Sequence, residues 1–368
     1  MGEDPRVGSG AVAPALHSPC NDEIDSMTDG APRMRTDGAN WEGPLFVIGM
    51  PRSGTKLLRN LLDRHPRIRI LPWETDFLPF IDAWVASRGE PRTEAELARL
   101  ASALRKSPYF DYRQKARGPL SVELWHRACR GRFDAAGLFE GFVRAELEAE
   151  PGSGVIWGDK TPGYVEHVDT LTRLFPRARL IHIVRDVRDY CLSMRESFGK
   201  DMRRAAHRWN DAMLRIAELV ERGTPALACV HYEALLTDPS AELGRLCNHL
   251  GVEFTESMLA LDRPVENHGS TKGRTGIVST NLGRWRRALE PRMVREIESI
   301  AWDAMHALGY EPELARGPRS LNRPVLELLR VKDGLTLITR DVEKRGLVRS
   351  AAVYLGHYLI RRRPEAAP

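Results

Sequence analysis

Residues 45–66, LFVIGMPRSGTKLLRNLLDRHP, decide the fold. LFVIG is a compact apolar run that stops at Gly49 and reads as a buried strand. TKLLRNLL then sets Leu57, Leu58, Leu61 and Leu62 on one helical face before Pro66 ends the helix. A loop from a buried strand to a helix start presents unpaired backbone N–H groups and the positive end of the helix dipole, which together make an anion site. Gly49 and Gly54 have the spacing of the G-x-x-x-x-G-K-[ST] loop of nucleoside triphosphatases, but Thr55 here precedes Lys56 and the cation inside the loop is Arg52. Magnesium ligation in the usual manner is not expected from that order. Three readings stay open on these residues: a nucleotide kinase-like loop, a glycine turn without a ligand, and a loop for a different phosphorylated donor.

Outward from this point, RIRIL (67–71) is a second short apolar run, and a mostly helical region follows from about 76 to 149. VIWGDK leads to a helix around 163–174, closed by Pro176, and RLIHIV (179–184) reads as a buried strand followed by a helix. A long amphipathic helix near 200–222 passes through Gly223 and Pro225 to another strand, ALACVH (226–231), and two further helices. Continuous apolar runs separated by helices predict a parallel sheet covered on both faces, a three-layer α/β fold of the phosphate-loop type with a helical insertion. The Gly-, Ser- and Thr-rich segment 263–283 is a long loop of the kind that carries function. The expected organisation is a disordered tail at 1–40, one domain over 41–312, and a helical appendage over 313–368.

Composition is that of an ordinary globular protein, and the formal net charge of +5 favours anionic ligands. The densest basic spots, Arg284–Arg287 and Arg361–Arg363, lie in no nucleic-acid motif and read as solvated faces, so no nucleic acid is expected. Five cysteines, Cys20, Cys129, Cys191, Cys229 and Cys247, include no CxxC pair; they read as reduced thiols in a cytoplasmic protein, with no metal site. LVRSAAVYLGHYLI (347–360) is too short to span a bilayer and is broken by Arg349 and His357, which leaves peripheral membrane contact as its furthest reach. Oligomeric state is open, and so is a non-catalytic scaffold that recruits partners through 324–363.

A second motif is RLIHIVRDVRDYCLSMRESF (179–198), in which Arg185 ends the strand and Ser193 lies about two turns into the next helix. With GMPRSGTKLLRNLLDRHP, CVHYEALLTDPSAELGRLCNHLGVEF and STNLGRWRRALEP, the chain over about 41–312 resembles the sulfotransferases that use 3′-phosphoadenosine-5′-phosphosulfate. The resemblance implies that Arg52, Ser53, Gly54 and Thr55 hold the 5′-phosphosulfate. Lys56 stands where the family often has a second threonine. By the same resemblance Arg185 and Ser193 hold the 3′-phosphate, far from the first loop, while Lys272, Gly273, Arg274, Arg284 and Trp285 belong to a late segment that closes over the nucleotide. On the residues alone, Arg185 reads equally as an ion-pair partner of Asp186 or Asp189.

Sulfuryl transfer to a hydroxyl or amine needs a base for the acceptor's proton and cations for the departing bisphosphate. Glu74, in LPWETDFLPF, falls where glycan and tyrosylprotein sulfotransferases place their base, the latter after a one-residue shift, with Asp76 as its rival. Lys160, in WGDKTPGY, resembles a Lys-Thr/Ser-Pro-x-Tyr element whose lysine lies near the transferred group; the plain alternative pairs it with Asp159. His65, His182 and His231 read as structural. The acceptor, whether small molecule, glycan, lipid or peptide, is not legible, although the 76–149 insertion is expected to shape its pocket.

Overall fold

The computed structural model describes residues 41–105, 107–222, 224, 227–265 and 272–345. The expectations for the 1–40 tail, for Gly223 and Pro225, and for the 347–360 stretch and Arg361–Arg363 lie outside the described residues.

β1 (Leu45–Gly49) passes through the glycine loop into α1 (Thr55–Leu62) and then β2 (Ile68–Ile70). α2 (Leu78–Arg88), α3 (Glu94–Leu104), α4 (Pro108–Arg117), α5 (Val122–Ala128) and α6 (Ala135–Leu147) fill the region read as helical. β3 (Ile156–Lys160) follows, then α7 (Val168–Leu174), β4 (Arg179–Val184), α8 (Val187–Phe198), α9 (Met202–Glu221) and β5 (Leu227–His231). α10 (Tyr232–Thr237) and α11 (Pro239–Leu250) precede the long loop; α12 (Trp285–Ala288), α13 (Pro291–Ile300), α14 (Trp302–Ala307) and α15 (Arg323–Arg345) come after it. The single helix expected over 163–174 is two elements, a 3₁₀ turn at Pro162–Glu166 and α7, because His167 adopts φ −129° and breaks the helical path between them.

The five strands form one sheet in the order β2-β3-β1-β4-β5, and every ladder is parallel. From β1 the chain crosses to β2 on one side, and after β3 it leaves for β4 and β5 on the other. The carboxyl end of β1 is therefore a switch point, where open α/β sheets hold their ligands. Alternation along β1 builds both flanking layers. Phe46 and Ile48 pack into the core made with α2, α6, α8 and α9, while Leu45 and Val47 pack with α1, α10 and α11. That two-sided burial is why the strands read as unbroken apolar runs.

Asp333 of α15 accepts from Asp201 N at 2.8 Å and from Arg204 Nη1 at 2.7 Å, and Leu329, about one turn earlier, is buried. The other face of α15 exposes Leu328, Val331, Leu335 and Ile338. Among the described residues no helix is long and apolar enough to cross a membrane.

Candidate active site

The glycine loop joins the carboxyl end of β1 to the start of α1. Arg52 adopts φ +77°, a left-handed conformation uncommon for a residue with a side chain, and donates from Nε to Ser193 Oγ of α8 at 3.3 Å. Ser53 is 1% exposed, and its Oγ has no hydrogen-bond partner among the described residues. Gly54 begins α1 with no side-chain cap, Thr55 is buried at its first turn beside half-buried Lys56, and no acidic residue stands in that turn. The positive end of the helix thus remains available.

Arg185 lies just beyond β4, whose Ile183 pairs with Gly49. It is 4% exposed and donates from Nη1 to the Arg52 carbonyl at 3.3 Å and from Nη2 to the Asn281 carbonyl at 3.0 Å. The Asp189 carboxylate is 3.8 Å away, and Arg185 Nε is buried without a partner among the described residues. The expectation that Arg185 and Ser193 sit far from the first loop is corrected: β1 and β4 are neighbouring parallel strands ending at one edge, so both motifs wall the same site. A cleft open to solvent is lined by Arg52, Gly54, Arg185, Tyr232, Arg274 and Asn281 among others.

Tyr232 and Asn281 are functional candidates that the sequence reading misses. Tyr232 opens α10 directly after β5, which brings it to the ligand-facing edge. Its ring lies 4.6 Å from the Arg185 guanidinium carbon, and its hydroxyl accepts from Asn281 Nδ2 at 2.9 Å. The usable signal was position alone: HYEAL follows a buried strand end as the glycine loop follows β1.

Of the late segment, Arg274 lines the cleft, whereas Lys272 and Gly273 are exposed and do not. Arg284 and Trp285 are likewise placed elsewhere. Arg284 is held by Glu196 at 2.9 and 3.1 Å, and the Trp285 ring is packed between the guanidinium groups of Arg188 and Arg286 at 4.1 and 4.4 Å. Asp189 fixes this segment by accepting from Gly283 N at 2.8 Å and from Trp285 N at 3.0 Å. Burial raises the Asp189 pKa above the ordinary carboxylate value, against the pull of Arg185.

At the same sheet edge, Lys160 ends β3 and pairs with Glu74, Nζ to Oε1 at 2.7 Å, rather than with Asp159. The Lys160 side chain is 4% exposed and that of Glu74 45%, so a shielded cation meets a carboxylate open to solvent. Asp159 is fully buried; its Oδ2 accepts from Thr75 Oγ1 at 3.1 Å, and burial pushes its pKa up to about 7. Neither Thr75 nor Asp76 caps α2, whose first flanking residue is Phe77. Of the three histidines, His65 accepts from Arg67 N and contacts the Glu253 carbonyl, His231 bonds Tyr310, and His182 is buried within β4.

A model of the sulfotransferase family matches residues 44–256. Protein-tyrosine sulfotransferase A of Caenorhabditis elegans is 23% identical over 327 residues, covering 84% of this chain and 76% of that protein. Protein-tyrosine sulfotransferase 2 of Gallus gallus is 23% identical over 303 residues, 73% of this chain and 69% of that one. Among solved structures, the sulfotransferase domain from the curacin biosynthetic pathway superposes with a TM-score of 0.50 at 18% identity, covering 74% of this chain and 100% of that domain, a likeness of fold. The matched region contains β1 to β5, the glycine loop and both members of the Glu74–Lys160 pair, and it spans more than half of the sequence: the chain belongs to the sulfotransferase family.

Proposed function

We propose that this sulfotransferase takes its sulfuryl group from 3′-phosphoadenosine-5′-phosphosulfate and passes it to a hydroxyl or amine, with Glu74 as base. The observation that carries the donor reading is the cleft in which the Arg52 loop and Arg185 meet; Arg185 Nε at its wall and Ser53 Oγ in the loop are buried with no partner among the described residues. Those donors fit a bisphosphate far better than an uncharged nucleoside. Arg52, Ser53, Gly54 and Thr55 would hold the 5′ end, and Arg185 with Ser193 the 3′-phosphate.

In the reaction Glu74 accepts the proton of the acceptor oxygen or nitrogen, whose lone pair forms the new bond to sulfur. The bond from sulfur to the phosphate oxygen breaks, and its electron pair leaves with the adenosine 3′,5′-bisphosphate. Protonation of Glu74 removes the charge that holds Lys160, which frees the ammonium to stabilise that leaving oxygen along with Arg52 and the start of α1. Helices α2 to α6, inserted between Glu74 and Lys160, supply the acceptor side. The relatives named protein-tyrosine sulfotransferases make tyrosine peptides the first acceptors to test.

Thermal unfolding with adenosine 3′,5′-bisphosphate, ADP, and ATP with magnesium tests the donor. Ligand at 100 times its Kd adds about 2.7 kcal/mol. Stabilisation by the bisphosphate, lost in Arg185→Ala, supports the reading; stabilisation by magnesium ATP alone overturns it. Glu74→Gln should end transfer of labelled sulfate and leave bisphosphate binding intact, and retained transfer would remove Glu74 from its role.

A further inference from the structure

We propose that Thr75, together with Tyr164 and Asp159, positions the reacting pair, fixing the Glu74 carboxylate against Lys160 through hydrogen bonds made by the residues adjacent to each. The inference rests on the roles proposed for Glu74 and Lys160 in sulfuryl transfer.

Glu74 stands on irregular chain between β2 and α2, half in solvent, where a carboxylate has little of its own to hold it. Thr75 is 0% exposed, and its polar atoms are tied across to the β3 side or to the insertion. Its N–H donates to Thr161 Oγ1 at 3.0 Å, and its hydroxyl donates to Asp159 Oδ2 at 3.1 Å and is hydrogen-bonded to the Tyr164 hydroxyl at 2.6 Å. Its carbonyl accepts from Ser107 Oγ at 3.4 Å. Asp76 then turns the chain with φ +55°, and Leu78 N reaches the Tyr164 oxygen at 3.1 Å. On the facing strand, Asp159 and Thr161 are the two neighbours of Lys160.

The two residues that flank Lys160 are thus bonded to the residue that follows Glu74. Side chains alternate along extended chain, so Asp159 and Thr161 share one side and Lys160 points from the other. The node lies behind the pair and out of reach of substrate. It is also an expensive thing to bury. Phe46 packs edge-on against Tyr164 with ring centroids 6.3 Å apart, and Asp159 Oδ1 has no partner among the described residues. An apolar cluster of the same shape would hold the fold as well. What it would not do is fix the direction of two short connections to within the half-ångström that a base and its partner need.

The test compares Thr75→Val, which keeps the shape and loses the hydroxyl, with Thr75→Ser, which restores it. Thr75→Val should lower kcat ten- to a hundredfold with the bisphosphate Kd within twofold of wild type; Thr75→Ser should recover most of kcat. Tyr164→Phe removes one oxygen under an intact ring, gives a smaller loss of the same kind, and carries the test if Thr75→Val fails to fold. The inference is overturned if kcat of Thr75→Val stays within twofold of wild type, or if both Thr75 variants lose kcat, bisphosphate affinity and Tm together. Glu74→Gln runs alongside: if it is inactive while Thr75→Val is active, the node alone fails, and if both are active the base assignment fails as well. An active Glu74→Gln beside an impaired Thr75→Val would overturn both the base assignment and the inference, since no reacting carboxylate is then held against Lys160.

Discussion

Gly54→Ala should damage both the fold and the cleft, and the structure sets the size of each effect. Gly54 has φ +98°, where an L side chain costs about 1–2 kcal/mol. The new Cβ would stand 2.4 Å from Tyr232 Cδ2 and 2.7 Å from Cε2, so the ring must withdraw by about 1 Å to reach ordinary contact. That movement weakens the stacking of Arg185 on the ring, worth about 0.5–2 kcal/mol, and the Asn281 hydrogen bond, worth about 1 kcal/mol. The expected loss is about 2–5 kcal/mol in urea unfolding. Calorimetric titration should show adenosine 3′,5′-bisphosphate binding weakened at least tenfold. Gly244→Ala is the control. Gly244 lies within α11 with nothing within 4 Å of the new methyl, so the change should stabilise by about 0.5–1 kcal/mol and leave binding alone. A Gly54→Ala protein within about 0.5 kcal/mol of wild type, with an unchanged Kd, would refute the idea that the Gly54–Tyr232 contact holds the cleft in shape.

Three further outcomes follow from buried charges and rings. Arg188→Met leaves the Asp186 and Glu298 carboxylates, now bonded to Arg188 at 2.7 and 2.8 Å, without their cation, and should cost about 3–5 kcal/mol in urea unfolding. Asp189→Asn presents one acceptor oxygen where Gly283 N and Trp285 N need two; a fall of about 1–2 kcal/mol in stability and weaker bisphosphate binding by calorimetry are expected. His182 is pushed down to about 3, first by burial and then by His231, so the folded state resists a proton that the unfolded chain takes up near 6.5. Its contribution is therefore full above about pH 6.5 and is lost toward pH 3 at about 1.4 kcal/mol per unit. His182→Leu should flatten that slope and, by removing ring nitrogens that have no partner among the described residues, add about 1 kcal/mol at pH 7. Urea titrations at pH 7 and pH 5 check both, and equal pH slopes in the two proteins would count against it.

The glycine loop, β4 and β5 were legible because strands buried on both faces leave unbroken apolar runs. β3 was not: IWGDK reads as a lead-in to a helix, since Gly158, Asp159 and Lys160 interrupt the apolar pattern. Gly158 is there because a Cβ would meet the Leu45 carbonyl oxygen at 2.6 Å, and Asp159 because its burial is compensated by Thr75, 84 residues away. The resemblance puts Trp285 in the segment that closes over the nucleotide, whereas its ring packs against Arg188 and Arg286. Its neighbour Arg188, drawn away by Asp186 and Glu298, could not be placed from spacing. The sequence could nominate Glu74 and Lys160 one at a time, by resemblance, but it carried no signal that they touch.

Arg52 and Ser193 are 141 residues apart in sequence, and Arg185 and Asn281 are 96 apart. No single supersecondary unit contains the cleft, so no local opening can shed one wall and keep a bound anion. Amides of β1 and β4, interior strands of the sheet, are expected to exchange through opening of the whole domain and so to gain protection together on binding, each by the full binding free energy, as though the ligand were a clasp across the entire sheet.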